Sequence, residues 1–501
     1  MEDNGENKQL HVLMFPWLAH GHMFPFLELS IRLAHHGVRI SFLSTPRNIS
    51  KMRQSLLSLN WEATGNIDLM ELPLPSVDGL PPGGENTADI PNEMADILKK
   101  ALDGLEEPFE HLLRRVQPDY IVCDISQHWA PTVAAKFGIP AIFFSIYSAA
   151  ATAYVLAPSR WKDEETTVGD LTTPPPGYPS SAIALRPFEA GNMAALYNPH
   201  EEGDIPPVHR SLKSVEGCWL IAIRSCYEME GRFIDYVETC HRKRVVPVGL
   251  LLPEESPPRN PPLGGSQQFE CLAWLDRQKS STVVYVSFGS ECFLSAGQIG
   301  ALAEGLELSG VPFLWVLRFP RHVDSSSAER DVDEQARASA CLPQGFEERT
   351  RERGFVYGGW APQQLILSHP STAGFLSHCG WSSVLEAIRY GVKVIGLPMM
   401  QGLDARLVAE ELKIGVEVAR NEEDGSFTAE EVCLSLRKAM VGDEGRRASD
   451  RMEEMRHKLF GEKGPGQDKY VREFVTTLVE SRPRRNALVQ GSRTMNDIKG
   501  V

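Results

Sequence analysis

Short apolar runs alternate with longer amphipathic stretches through the first half of the chain. Residues 10–15 form an apolar run closed by Pro16. A loop carrying Gly21 follows. From 23 to 36, Phe26, Leu27, Leu29, Ile31 and Leu33 make a broad apolar face that stops at Gly37. This pattern predicts a strand and then a helix. Residues 38–43 and 67–74 predict two more strands, 95–116 a helix, and 120–123 a strand entered after Pro118. Residues 138–159 carry no charge and have the length of a membrane span. Pro140, Ser145, Ser148 and Thr152 interrupt them, so they predict a buried strand at 141–146 running into a buried helix. Strands are expected again at 218–224 and 245–252. Apolar strands without alternation, separated by helices, imply a parallel sheet covered on both faces.

The pattern breaks at residues 252–268, which hold Pro253, Pro257, Pro258, Pro261, Pro262, Gly264 and Gly265. This is a linker composition. Beyond it the alternation restarts, with strands expected at 282–288, 313–317, 355–357, 374–376 and 394–397 and a helix at 298–309. The fold class is therefore α/β. Residues 1–251 form a first domain, 252–268 the linker and 269–458 a second domain. A helix within 459–482 is expected to pack back on the first domain, and 483–501 to be a mobile tail. Residues 318–340, charged and with Ser325, Ser326 and Ser327 in a row, read as a surface loop. Two such halves enclose a cleft, and ligands of open α/β sheets sit at the carboxyl ends of the strands.

Composition narrows the functions. With 51 Lys and Arg against 66 Asp and Glu the formal charge is −15. That disfavours a nucleic-acid partner, whose footprint is basic, and binding to an anionic membrane. The 42% hydrophobic content is that of an ordinary globular chain. Nine cysteines with no CxxC pair suit reduced, mostly buried thiols in the cytoplasm. Residues 1–9 have three acidic residues against one Lys, which is not a secretory leader. The chain is expected to be cytoplasmic, monomeric and without membrane insertion.

Generic nucleotide motifs are missing: no GxGxxG follows the first strand, and no GxxxxGK[ST] occurs. Asp331-Val332-Asp333 matches a metal-binding DxD pattern but lies in the charged loop, where a solvated acidic patch is expected. His22 follows the first strand and opens the first helix, at the carboxyl edge of the sheet. An imidazole there can accept a proton near neutral pH. Asp124 ends another strand at the same edge and could fix the His22 tautomer. His20 competes for the base role; by residue type alone, His20 and His128 read as packing histidines. The second half holds a denser set: Trp360-Ala361-Pro362-Gln363, then His378-Cys379-Gly380-Trp381-Ser382-Ser383 and Glu386. A strand, a Gly turn and a helix beginning near Ser382 would present free N–H groups and a partial positive charge, which suit phosphate. His378 and Ser383 add donors, Trp360 a stacking face, and Glu386 an acceptor for ribose hydroxyls.

This constellation resembles the signature box of the plant UDP-sugar glycosyltransferases. FPWLAHGHMFPFLELS from Phe15, SFGS ending at Ser290 and GLELSGVPFLWVLR ending at Arg318 resemble them too. The FPWLA opening and Asp124…His128-Trp129 look most like the branch that extends glycosides. The resemblance implies a GT-B fold with two Rossmann-like domains, and an inverting, metal-free transfer with no cofactor beyond the UDP-sugar donor. His22 of the Gly21-His22 pair is then the base and Asp124 its partner. Trp360 stacks on uracil, Gln363 and Glu386 hold the ribose, and Ser290, His378 and Ser383 contact the diphosphate. Ala361, Trp381, Ser382 and Gln401 complete the donor pocket. Gly21, Ser145 and His128 lie where such enzymes can contact acceptor or sugar.

Three departures stand out. Ser382 replaces the usual Asn, and Lys393 the usual Pro. The box closes two residues short, so that Pro398-Met399-Met400 runs into Gln401 without the acid that normally binds sugar hydroxyls; Asp404 falls where Asn is common. The resulting reading is a UDP-sugar-dependent transferase acting on a hydroxyl of a small lipophilic plant metabolite, a flavonoid or terpenoid, or its glycoside. Glucose is the default donor, with rhamnose, xylose or galactose open. The alternative is a catalytically weak nucleotide-sugar-binding protein with an impaired sugar site. The loops at 79–92 and 159–203 carry no pattern that names an acceptor.

Overall fold

Seven runs of three to six residues form the first sheet: β1 (His11–Phe15), β2 (Arg39–Ser44), β3 (Ile67–Glu71), β4 (Tyr120–Cys123), β5 (Ala141–Ser145), β6 (Leu220–Ile223) and β7 (Val245–Pro247). The structure is a computed structural model that describes residues 9–58, 65–162, 164–199, 204–252, 268–289, 292–319, 327–461 and 466–483. Successive side chains of a strand point to opposite faces. Leu13, Phe15, Ile121, Cys123 and Phe143 accordingly enter one core, and Val12, Met14, Tyr120, Val122, Ile142 and Phe144 the other. Both faces of the central strands β1, β4 and β5 are buried, which is why these strands are mostly apolar, whereas the edge strand β3 exposes Asp68 and Glu71. Each fully buried side chain of this size contributes about 1.5–3 kcal/mol.

The order is β3-β2-β1-β4-β5-β6-β7, all parallel. The second half repeats the plan with β8 (Val283–Ser287), β9 (Phe313–Leu317), β10 (Gly354–Gly358), β11 (Thr372–Ser377), β12 (Lys393–Gly396) and β13 (Gly415–Glu417), in the order β10-β9-β8-β11-β12-β13. In each sheet the chain winds outward from a central strand and then returns to its other side. The connections leaving β1 and β4, and those leaving β8 and β11, therefore diverge and open a crevice at the carboxyl ends.

The helix Gly466–Glu480 lies on the first half: Val471, Phe474 and Leu478 join its core, and Tyr120 Oη donates to the Leu478 carbonyl at 2.9 Å. The helix before it, Asp443–Phe460, belongs to the second half.

Several elements differ from the sequence pattern. The first helix is His20–His35, three residues earlier than expected. The 95–116 stretch is two helices, Ala95–Asp103 and Glu106–Val116, broken around Gly104, where a Cβ would lie 2.6 Å from Pro75 Cγ. Strand character at 245–252 ends at Pro247. The pattern missed the helix Pro46–Ser58 and the three-residue β13. The expected surface loop at 318–340 contains a helix, Ser327–Cys341. Its charge masked good helix formers, and it docks on the edge strand: Ala338 is buried, and Gln335 accepts from Gly358 N–H at 2.7 Å. Such cover protects an open sheet edge. The side chains of Asp331, Val332 and Asp333, the linker at 253–267 and the tail from 484 lie outside the described residues. The charge-free run forms β5 and the short buried helix Ala149–Val155. No helix among the described residues is long and apolar enough to cross a membrane.

Candidate active site

A cleft of about 720 Å³ lies between the two sheets, at the carboxyl ends of both. The first half contributes Gly21, His22, Ile90, Ile146 and Tyr147 to its walls. The second contributes Gly289, Phe293, Trp360, Gln363, His378, Ser382, Ser383, Met400, Gln401 and Asp404.

His22 sits in the first turn of the helix that follows β1. That helix contains Pro25, which has no N–H, so the Gly21 carbonyl in the cleft wall receives no helical bond from it. The His22 Nδ1 lies 2.8 Å from Asp124 Oδ2. Asp124, directly after β4, is fully buried. The same Oδ2 accepts from Trp17 N–H at 2.9 Å, and Oδ1 accepts from Ile125 N–H at 2.7 Å. These bonds orient the carboxylate, an acceptor when ionised, and make Nδ1 the protonated nitrogen of a neutral imidazole. The basic lone pair is then on Nε2, inside the cleft, where Tyr147 Oη lies at 3.1 Å. His20 is turned aside, stacked on Phe24, and does not line the cleft.

On the opposite wall the chain leaves β11, turns through Cys379 with φ +65°, and enters the helix Trp381–Tyr390. The turn aims the helix N-terminus into the cleft. His378 fits there because its neighbours are glycines: a Cβ on Gly289 would lie 2.8 Å from its Cε1, and one on Gly380 would lie 2.4 Å from its Nε2. Burial pushes the His378 pKa down to about 4, so the ring is a neutral donor at neutral pH. Its buried Nδ1 has no partner among the described atoms. Ser383 is buried and lines the same cleft. Trp360 is 54% exposed, a free aromatic face on the rim, next to the buried Ala361.

Glu386 is half-buried and does not itself line the cleft; Gln363 does. Gln363 Nε2 donates to Glu386 Oε2 at 2.7 Å, and Gln364 Nε2 to Oε1 at 3.2 Å. A carboxylate offers about four lone-pair sites, so further bonds remain open to Glu386. Burial raises its pKa.

Five of the expected residues make other bonds, three of them within the cleft wall. The Ser382 hydroxyl accepts from Arg224 Nη1 at 2.6 Å, and Trp381 Nε1 donates to the Arg224 carbonyl at 2.9 Å, so both tie the halves together. Ser145 is fully buried and bonded to Thr152 at 2.7 Å, out of the cleft. His128 is likewise outside, beside Asp103 at 3.7 Å and Arg210 at 3.4 Å. Gln401 lines the cleft, but its Oε1 accepts from Met400 N–H at 3.1 Å. Ser290 lies outside the described residues.

Sequence reasoning passed over Tyr147 and Arg224. Each follows a strand end, Tyr147 two residues after β5 and Arg224 directly after β6, so the rule that selected His22 and Asp124 applies to them too. Arg224 is buried, which pushes its pKa down to about 10; it still carries a charge at neutral pH near Glu386. Asp404 was singled out only as a substitution. It is buried in the cleft wall, accepts from Ser148 Oγ of the first half at 2.5 Å, and burial with the nearby Glu230 raises its pKa to about 7.

Comparison with known proteins adds the following. Residues 265–423 match the family described as UDP-glucoronosyl and UDP-glucosyl transferase, and residues 8–168 match the glycosyltransferase N-terminal domain. The chain is 39% identical to UDP-glycosyltransferase 91A1 of Arabidopsis thaliana, over 96% of this chain and 99% of that one. It is 35% identical to the anthocyanidin-3-O-glucoside rhamnosyltransferase of Petunia hybrida, over 87% and 88%. Its structure matches that of Arabidopsis thaliana UGT89C1 complexed with UDP-L-rhamnose, with a TM-score of 0.68, 27% identity and coverage of 94% and 99%.

Proposed function

The chain belongs to the UDP-glycosyltransferase family, with its GT-B fold, and from that premise we propose that it moves a sugar from a UDP-sugar to a hydroxyl of a small plant metabolite, with His22 as general base and inversion at the anomeric carbon. The observation that carries the reading is the 2.8 Å His22–Asp124 pair, set with Nε2 in the same cleft as the N-terminus of the helix Trp381–Tyr390.

His22 Nε2 takes the acceptor's hydroxyl proton as that oxygen attacks the anomeric carbon from the face opposite UDP. The new C–O bond forms, the bond from the anomeric carbon to the phosphate oxygen breaks, and UDP leaves with the electron pair. Asp124 steadies the imidazolium. A positioned base contributes about 10²–10⁴-fold, and alignment of the two substrates adds to that. Trp360 stacks on the base, and Gln363 with Glu386 receives the ribose. Charge growing on the β-phosphate meets the helix N-terminus, Ser383 and the neutral His378 donor, and Ser290 joins them in this reading. Preorganised dipoles of this kind stabilise an oxyanion without a metal. Arg224, one hydrogen bond behind Ser382, adds a positive charge at that end. The chain's −15 charge repels a UDP-sugar at long range, so binding rests on these local positive ends.

A glycosylated acceptor is favoured. The Petunia relative is by its name a rhamnosyltransferase of an anthocyanidin glucoside. The cleft wall on the His22 side, with Ile90 and Ile146, suits an apolar aglycone. The donor is a hexose, glucose or rhamnose. Nine cysteines without a disulfide, six of them buried, suit the reducing cytoplasm.

The test is a panel of UDP-sugars against flavonoid and terpenoid aglycones and their glucosides, read by mass spectrometry with and without EDTA. The expected result is a product heavier by one hexosyl or deoxyhexosyl unit and unaffected by EDTA. No product from any pair would favour the nucleotide-sugar-binding alternative, and a strict divalent-cation requirement would sink the metal-free mechanism.

A further inference from the structure

We propose that Tyr147 guards the basic nitrogen of His22: its phenol bonds to Nε2, keeps water from being activated there, and gives way only to an acceptor hydroxyl. The inference rests on the reading of His22 as general base.

The starting point is tautomer chemistry. Nδ1–H of His22 donates to Asp124 Oδ2, so a neutral His22 has its lone pair on Nε2. Tyr147 Oη is 3.1 Å from that atom, and the two rings meet edge to face, with centroids 5.6 Å apart and planes at 77°. The phenol O–H donates and Nε2 accepts. The atom that must receive the acceptor's proton is thus already engaged.

The surroundings suit a movable guard. Tyr147 lies in the three-residue connection between β5 and the helix Ala149–Val155. Its neighbours are pinned: Ile146 is buried, and Ser148 is buried, caps that helix through Ala151 N–H at 3.0 Å and donates to Asp404. Tyr147 itself is 37% exposed and faces the cleft. Rotation about its side-chain bonds frees Nε2 with no backbone change, on the fast timescale of exposed rotamers.

The need for such a guard follows from the reaction. Water and an alcohol are similar nucleophiles. With donor bound and Nε2 bare, water could give up its proton to Nε2, form the bond to the anomeric carbon and expel UDP, leaving free sugar. A cleft of this volume admits water readily. An acceptor brings an apolar body whose binding energy can displace the phenol, whereas water brings none.

Tyr147→Phe keeps the ring on the imidazole and removes only the hydroxyl. Without acceptor, the rate of UDP release from UDP-glucose, or from whichever UDP-sugar the wild type uses, should rise about three- to tenfold, the range expected for one hydrogen bond. The ratio of hydrolysis to transfer should rise with it. An unchanged hydrolysis rate would overturn the proposal. So would a loss of transfer of about a hundredfold with no gain in hydrolysis, since Tyr147 would then pass the proton on instead of guarding it. A second measurement needs no turnover. Diethyl pyrocarbonate acylates an unprotonated imidazole nitrogen, and peptide mass spectrometry follows His22. The variant should label several-fold faster than wild type, and equal rates would overturn the guard. A wild-type protein with no transferase activity would sink the proposed function instead, while the labelling comparison stayed readable.

Discussion

The second-half wall of the cleft draws Trp360, Gln363, His378, Ser383 and Asp404 from one run of chain, across two strands, three helices and the turns between them. The first-half wall is assembled from distant pieces. His22 follows β1, Asp124 follows β4 and Tyr147 follows β5, and the His22–Asp124 bond spans 102 positions. Both walls obey the same geometry, since each lies where a parallel sheet reverses its winding. They differ in how the residues reach it. A nucleotide diphosphate is a constant ligand, and a helix N-terminus with its flanking turns can recognise it locally. A base and the carboxylate that orients it need only converge in space.

That contrast can be broken by mutation. The largest effect is expected from His22→Ala: transfer falls about 10²–10⁴-fold or more, while UDP affinity measured by calorimetry stays at the wild-type level. A variant that turned over at the wild-type rate, or one that lost UDP binding as well, would dissolve the division of labour between the walls. Trp360→Ala should act on the other side. Base–aromatic stacking is worth about 1–3 kcal/mol per base, so the donor KM should rise about tenfold, with a smaller change in kcat. An equal fall in kcat and kcat/KM would mean that the ring acts on the transition state instead.

The smallest effect is expected where the walls meet. Asp404 has its pKa raised from 3.8 to about 7, so between those values the native carboxyl holds a proton that the unfolded chain has released. Its contribution to stability is full below about pH 4 and is lost as pH rises through about 7. Part of any fall in Tm between pH 5 and 8 should therefore vanish in Asp404→Asn, by about 1 °C for each 1 kcal/mol in a chain of 501 residues. An identical Tm–pH curve in the variant would show that the Ser148–Asp404 contact does not hold a protonated carboxyl.

Legibility followed the same division. Both parallel sheets could be read from apolar runs, because a strand buried on two faces has little room for polar residues. Very short strands such as β13 and charged helices such as Ser327–Cys341 escaped, since neither has enough apolar periodicity to be seen. In the second half, the nearness of Trp360, Gln363 and Ser383 was legible because local turns alone bring them together. His378 was selected as a donor, but its neutrality came from burial, which the sequence does not display. In the first half, the strand-end rule selected His22 and Asp124 and would have selected Tyr147 and Arg224, had it been applied to every strand. The family resemblance also admitted Ser145 and His128, which the structure places outside the cleft.

The sequence by itself determined two α/β halves, the sheet edges on which chemistry could sit, and the family to which the chain is similar, because hydrophobic periodicity and contiguous motifs are local properties. The tertiary structure alone decided which candidates face one another. It set the 2.8 Å contact between His22 and Asp124, the phenol on Nε2, the reach of Arg224 to Ser382 and the bond from Ser148 to Asp404. Each joins residues far apart in the chain, so its distance is fixed by how sheets and helices pack and not by any pattern along the backbone.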